Sequence, residues 1–387
     1  MGTPLGNRAV PVPICCKVNG ANCVCVIGWN IGSRLQECQR RPLTEGLVRF
    51  SVEQLWRLML MKKNPLGVGL IGVGRHGLRY ARHLLHDLPA ASLKAVCRRN
   101  PAQGLDLPGA ESVTVYGQAH ALIEDPAVEA IIVVTPPIFT REICKLAVQA
   151  RKPLLVEKPL AAAAADAGAM VSEAREAGVP LMTAQTLRFD STIQEMRERA
   201  HLIGRSERLR MTSHIELKAT APGHAEGYGK RGALLEIGVH MLDLVRFLTG
   251  EEVQEVCCTM DRLPPTAPDT IVSAQLTTVG GTTCVLDIAR VPEGRVGSAE
   301  WIGLQGRLQA DWISRRLRWI SSTDSQEWEI PPSQTVLATL IAFLDAVEQR
   351  RPMPITGEDG LRAVEIAEAC YRSAETGGAS ILVDRRS

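Results

Sequence analysis

Three glycines, Gly72, Gly74 and Gly77 in the run GVGLIGVGRHG over 67–77, constrain this chain more than any other feature. Taken alone, glycines at this spacing are weak evidence in a chain with 33 of them. Their setting makes them strong. An apolar run leads in, a helical pattern from Gly77 to Asp87 leads out, and a second apolar run, LKAVC, follows at 93–97. In a strand–turn–helix of this kind the first glycine permits the tight turn. The second lets the backbone approach a pyrophosphate, and the third lets the helix pack on the strand. The amides of residues 74–77 would face phosphates at the positive end of the helix. Gly72, Gly74, Arg75, His76 and Gly77 are therefore expected to form a dinucleotide-binding turn.

From Leu66 onward, nearly continuous apolar runs (67–72, 93–97, 130–135, 154–157) alternate with helical segments such as Gly77 to Asp87 and Arg141 to Ala150. Such runs signal a parallel sheet covered on both faces, a doubly wound α/β Rossmann domain expected over 64–187. Past Arg188 the period changes. Residues 207–217 alternate, with Leu209, Met211, Ile215 and Leu217 on one face and Arg208, Arg210, His214 and Glu216 on the other. Strand-like runs recur at 270–278, 282–290, 299–304 and 313–320. Period two without intervening helices predicts a mostly antiparallel open sheet, so 188–387 is expected to be an α+β domain. One helix is expected over Ala233 to Thr249, and others near 335–349 and 360–374.

Residues 1–63 lack this pattern and are read as an extension, with Val52 to Met61 its best helix and Met59 or Met61 a natural start for the domain that follows. Five of the eleven cysteines lie in the first 38 residues without paired metal-ligand spacing. With Pro11, Pro13 and Lys17 interrupting any apolar leader, and Gly6 breaking a myristoylation pattern, a cytoplasmic location with reduced thiols is expected. The 44 basic and 42 acidic residues leave a net charge of +2, which gives no field to draw nucleic acid or an anionic membrane. Aromatics at 4% leave little for base stacking, and no apolar run reaches membrane-spanning length.

The end of the second strand selects between cofactors. An acidic side chain about twenty residues beyond the glycines would bind the adenosine ribose and favour NAD. Here the sequence is VCRRN, with Arg98 and Arg99 where the acid would stand. Guanidinium groups pair with a 2′-phosphate by charge-assisted hydrogen bonds, so NADP is expected to be preferred and NAD to remain possible.

Two further clusters carry chemistry. Lys158, in VEKP at 156–159, stands at the carboxyl end of a predicted strand, where open α/β sheets bind their ligands. On the Ala233–Thr249 helix, Glu236, His240 and Asp243 fall within one stripe at 100° per residue. Such a stripe is either a solvated face or a site. No further ligands accompany Glu236 and His240, so no metal is expected.

Together these blocks resemble the glucose–fructose oxidoreductase/inositol dehydrogenase (Gfo/Idh/MocA) family. The resemblance runs from about Leu66 to the end. It rests on GVGRHG at 72–77, TPP at 135–137, VEKP at 156–159, LRF at 187–189, LLEIGVHMLD at 234–243 and ITGEDGLRAVEIAEACYRSAETG at 355–377. It implies a nicotinamide-dependent dehydrogenase or reductase acting on a polyhydroxylated small molecule, a sugar or cyclitol, and working as a homodimer or homotetramer through the face that carries Ser273, Gln275 and Thr277. By position it implies Lys158 and His240 as catalytic residues, with Glu236 standing where an Asp is usual. It adds Thr135, Pro136, Glu157 and Lys158 to the cofactor contacts, and Arg188, Asp243 and Tyr228 to Lys158 and His240 as substrate contacts. Lys218, His224 and Lys230, in the covering loop 218–231, are further candidates. The chemistry suits the residue types, because an imidazole near its ordinary pKa takes a hydroxyl proton and an ammonium steadies the oxygen. Glu236, one turn before His240, is expected to orient the ring. Pro137 and Thr140 depart from the family's usual Asn and His. The competing reading is a catalytically silent dinucleotide-binding sensor or regulatory protein on the same fold. A third is another reduction, of an imine or a carbon–halogen bond.

Overall fold

The computed structural model describes residues 64–216, 224–263 and 267–384. The expectations for residues 1–63, and for Lys218 and the His224 side chain, lie outside the described residues.

The first sheet has six parallel strands. In chain order they are β1 (Leu66–Ile71), β2 (Ala91–Cys97), β3 (Thr114–Tyr116), β4 (Ala130–Val133), β5 (Leu154–Glu157) and β6 (Leu181–Ala184), arranged β3-β2-β1-β4-β5-β6. This is the order of a dinucleotide-binding fold, with its crevice where β1 and β4 diverge. Strands β4, β5 and β6 are buried at every residue, which is why they read as unbroken apolar runs. The helices between strands are α1 (Gly77–His86), α2 (Ala119–Glu124), α3 (Thr140–Gln149) and α4 (Ala164–Ala177). Short β3, TVY, was not expected; three residues are too few to show a period.

After β6 come α5 (Ser191–Glu198) and the long β7 (Ser206–Glu216), then a helical turn at His224–Gly227. Next lies a π turn, Leu234–Gly238, leading into α6 (Val239–Thr249). The single α-helix expected over 233–249 is thus two kinds of helix. The Val239 amide reaches back five residues to the Leu234 carbonyl. Such widened turns concentrate at functional sites. Gly238 packs here against the sheet, where a Cβ would stand 2.7 Å from the Ile288 Cδ1 atom.

Strands β8 (Val253–Arg262), β9 (Asp269–Thr278), β10 (Thr283–Val291), β11 (Val296–Gly303), β12 (Gly306–Asp311), β13 (Arg316–Ile320) and β14 (Ser325–Glu329) follow. The chain closes with α7 (Thr335–Glu348), α8 (Gly357–Glu375) and β15 (Ile381–Leu382). The second sheet has nine strands, ordered β14-β13-β12-β11-β7-β10-β9-β8-β15, antiparallel except where β7 meets β10. Of the run expected over 313–320 only Arg316–Ile320 is strand; it forms a hairpin with Gly306–Asp311, a strand outside the expected runs, across a turn at 312–315.

One face of this sheet (Leu209, Met211, Val272, Leu276, Leu286, Ile288) packs on α6 and α8, while Ser273 and Gln275 point to solvent from the other. The last long helix is held by a capping box, Thr356 with Asp359. It also reaches the first sheet's layer: Glu368 Oε1 accepts from the Ala164 amide at 2.9 Å, and Leu361 joins the core that holds Val133, Leu154 and Val156. Among the described residues no helix is long and apolar enough to cross a membrane.

Candidate active site

The glycine turn adopts the geometry its spacing predicts. Gly72 has φ +97°, a left-handed conformation that a side chain would strain. Gly77 lies so close to the turn that an added Cβ would stand 1.9 Å from the Gly72 carbonyl oxygen. Gly74 differs from both, because a Cβ there would meet nothing within 4 Å. No protein atom requires its missing side chain, so the open space is what a close-approaching pyrophosphate would use. Beyond β4, the buried Thr135 hydroxyl has no hydrogen-bond partner, and its Cγ2 lies 3.1 Å from where a Gly72 Cβ would be. An orphaned hydroxyl beside an open glycine cradle fits a nicotinamide dinucleotide, which Gly72–Gly77, Thr135 and Pro136 would hold. Pro136 also meets the helical turn at His224–Gly227, since a Gly227 Cβ would stand 2.8 Å from its Cβ.

Arg75 is exposed at the turn. Arg98 and Arg99 lie where β2 ends, but they differ. The Arg98 guanidinium is tied to its own loop, donating to the Gly104 carbonyl at 2.7 Å and to Gln103 Oε1. Arg99 is exposed. Pro137 and Thr140 serve the local fold: Thr140 Oγ1 donates to the carbonyls of Pro137 and Leu160, both at 2.8 Å, tying the β4 turn to the segment after Lys158.

Glu157 and Lys158 end β5 and face opposite duties. Glu157 is buried, with Oε1 bound at 2.6 Å by His76 Nε2 and at 2.5 Å by the Tyr80 hydroxyl. Burial alone would raise its carboxyl, yet His76, Lys158 and Tyr80 together hold it below the usual range. Its reach is spent on the glycine turn and α1, so it positions that turn. Lys158 points the other way, donating from Nζ at 2.6 Å to the Glu236 carbonyl in the π turn. Burial lowers its pKa, and Arg290 lowers it further against the pull of Glu157.

That single bond joins the two halves of the site, because His240 follows one turn later. Its imidazole is pushed well below its ordinary pKa by burial, by Lys158 and by His76. A neutral ring at neutral pH is what a proton acceptor needs. Its Nδ1 lies 2.9 Å from Gln185 Oε1. Glu236, expected to orient this ring, instead ion-pairs with Arg290, and the partner on Nδ1 is Gln185. The reason is the π turn: 100° per residue does not apply through 234–238, so Glu236 leaves the line extrapolated to His240. Tyr228 borders the same place. Burial and the nearby Glu157 push its hydroxyl up to about 12, while Arg290 opposes them.

Two expected substrate contacts are corrected. Asp243, 1% exposed, does not share the site with His240. It accepts two hydrogen bonds from Arg188, at 2.7 and 2.6 Å, and Arg188 continues to Asp359 at 3.0 Å. Arg246 joins Asp359 to Glu252 in the same network. Charges this deep are kept by mutual pairing.

Sequence reasoning missed Gln185 and Arg290. Both left a signal. Gln185 directly follows β6, at the carboxyl end of a strand like Lys158. Arg290 continues the buried face of β10 after Cys284, Leu286 and Ile288, a charge where alternation demands an apolar residue. Among the described residues no group of three or more His, Cys, Asp or Glu side chains is placed to hold a metal.

Both domains have counterparts among known proteins. Residues 66–185 match the GFO/IDH/MocA oxidoreductase family, NAD-binding Rossmann fold, and residues 192–309 match that family's C-terminal domain. The chain is 26% identical over 336 residues to myo-inositol 2-dehydrogenase of Thermotoga maritima, covering 80% of this chain and 96% of the relative. It is 25% identical over 340 residues to D-apiose dehydrogenase of Rhizobium rhizogenes, covering 82% and 97%. Among solved structures, a probable dehydrogenase from Thermotoga maritima superposes with a TM-score of 0.71 at 26% identity, over 82% of this chain and 99% of that one.

Proposed function

The chain belongs to the Gfo/Idh/MocA oxidoreductase family, and from that premise we propose that it transfers a hydride between NADP and a secondary alcohol or ketone of a sugar, cyclitol or related polyhydroxylated molecule. Its activity as a nicotinamide-dependent oxidoreductase on CH–OH groups follows from its relatives; the substrate class and the preference for NADP are this reading's own. Inositol and apiose, named for two relatives, are both polyhydroxylated and set the class to be screened. NADP is favoured by Arg99, exposed where an acid would stand in an NAD enzyme, with Arg98 bracing the loop beneath it. A homodimer or homotetramer joined through the open face of the nine-stranded sheet is part of the same proposal.

The observation that carries this reading is the 2.6 Å bond from Lys158 Nζ to the Glu236 carbonyl, which sets the lysine of the first sheet against the helix of His240. Held along Gly72–Gly77, a nicotinamide dinucleotide would supply or accept the hydride. His240 takes the hydroxyl proton in oxidation and returns it in reduction. Lys158 holds the substrate oxygen and steadies negative charge as it develops there. Glu157 locks the glycine turn through His76 and Tyr80, and Arg290 balances the charge of Glu236 at the floor of the site.

Lys158→Ala and His240→Ala are each expected to slow the chemical step by at least about tenfold. NADPH binding, followed by fluorescence titration, should hold in both. Turnover of a polyol panel, read as nicotinamide absorbance, checks this, and unchanged turnover in either variant removes that residue from the mechanism.

A further inference from the structure

We infer that Gln185 is the positioning residue of this site: its Oε1 accepts the His240 Nδ1 proton and so fixes the tautomer whose Nε2 lone pair faces the substrate. The inference rests on the reading of His240 as the base, and it adds the group that makes the imidazole a base on one nitrogen only. The 2.9 Å contact is the first support. The second is how Gln185 is held. It is 1% exposed, its amide donates to the Thr183 carbonyl at 2.9 Å, and its carbonyl accepts from the Arg188 amide at 3.0 Å. A backbone anchored on both sides leaves the side chain little freedom to leave the ring.

The third support is a defect. Gln185 Nε2 is buried without a hydrogen-bond partner. Interiors seldom keep such a donor, and a packing role would be served better by an apolar residue of similar size. Its retention beside the imidazole fits an amide needed for its oxygen. The opposite orientation, NH2 toward the ring, would put the ring proton on Nε2. No basic nitrogen would then face the substrate.

A neutral acceptor also suits the surroundings. His240 is faced by Lys158 from the end of β5 and by His76 from the glycine turn. Its own helical segment carries Glu236, already ion-paired with Arg290 of β10, and one turn later Asp243, paired with Arg188. A carboxylate in place of Gln185 would favour the imidazolium. An amide does not, so burial, Lys158 and His76 are left to hold the ring neutral.

The test combines a spectrum and two variants of the full chain. With histidine 15N-labelled and assigned through His240→Ala, the two-bond 1H–15N spectrum of the cofactor-free protein at pH 7 should show His240 protonated on Nδ1. Gln185→Leu should mix the tautomers and lower kcat by about tenfold or more, with NADPH affinity unchanged. The near-isosteric Gln185→Glu should move the acid limb of kcat/KM for oxidation upward by about one pH unit or more, because a carboxylate favours the charged ring. Should Gln185→Leu fail to fold, the wild-type spectrum and Gln185→Glu decide the matter alone. A wild-type ring protonated on Nε2, or a Gln185→Glu profile superimposable on the parent's, overturns the inference. Full turnover by His240→Ala would overturn the reading of the base, while the spectrum still reports the tautomer independently.

Discussion

Alanine placed at Gly74 and at Gly77 should separate binding from folding within four residues. At Gly77 the new Cβ would lie 1.9 Å from the Gly72 oxygen and 2.9 Å from its carbonyl carbon, both backbone atoms. Gly72, at φ +97°, is itself fixed in a turn that resists adjustment. Helix α1 must therefore back away from β1, and forced overpacking of this kind costs about 1–3 kcal/mol. Each kcal/mol lowers the melting temperature of a domain this large by about 2–4 °C, so Gly77→Ala should lose about 2–12 °C. At Gly74 the Cβ meets nothing within 4 Å, so the cofactor-free protein should melt at or slightly above the parent temperature. The methyl nevertheless fills the space reserved for pyrophosphate. At a ligand concentration 100-fold above Kd the parent gains about 2.7 kcal/mol, whereas a variant binding 100-fold more weakly gains only about 0.4 kcal/mol. Thermal melts with and without NADPH measure both quantities. A full ligand shift in Gly74→Ala, or a Gly77→Ala protein as stable as the parent, would refute the assignment of the turn.

Asp243→Ala leaves the buried Arg188 guanidinium with Asp359 alone, and breaking one side of such a pair costs about 3–5 kcal/mol. Urea unfolding should show that loss, while NADPH affinity of the folded fraction stays at the parent value; weakened binding without lost stability would return Asp243 to the site. Arg99→Ala should raise KM for NADPH by about tenfold and leave KM for NADH nearly unchanged, since one charge-assisted bond to a phosphate is removed. Equal efficiency of NADH and NADPH in the parent would remove the reason for a preference.

Much of the site was legible because it depends on short-range rules. The turn from Gly72 to Gly77 needs only a strand before it and a helix after it, and both show their periods within ten residues. Lys158 could be placed by the same reasoning, since the carboxyl ends of strands in a parallel sheet share one edge. His240 came from its block in the family resemblance and from the helix carrying it. The failures have one character. Glu236 was aligned with His240 by assuming a uniform α-helix, and the π turn at Leu234–Gly238 broke that alignment, whereas Asp243 stands on the same regular helix as His240 and is taken by Arg188. Arg98 was read as a phosphate ligand from its position, yet a loop six residues on takes its guanidinium.

Sequence alone determined the doubly wound sheet, the open antiparallel sheet after it, and the lysine and histidine that the site brings together, because periodicity and turn chemistry act within a few residues. Only the tertiary structure decided which polar group pairs with which: Arg290 with Glu236, Arg188 with Asp243, Gln185 with His240. These partners lie 54 or 55 residues apart in the chain. Their choice follows from where β6, β10 and the π turn converge, and a buried polar group takes whichever partner the packing brings within reach.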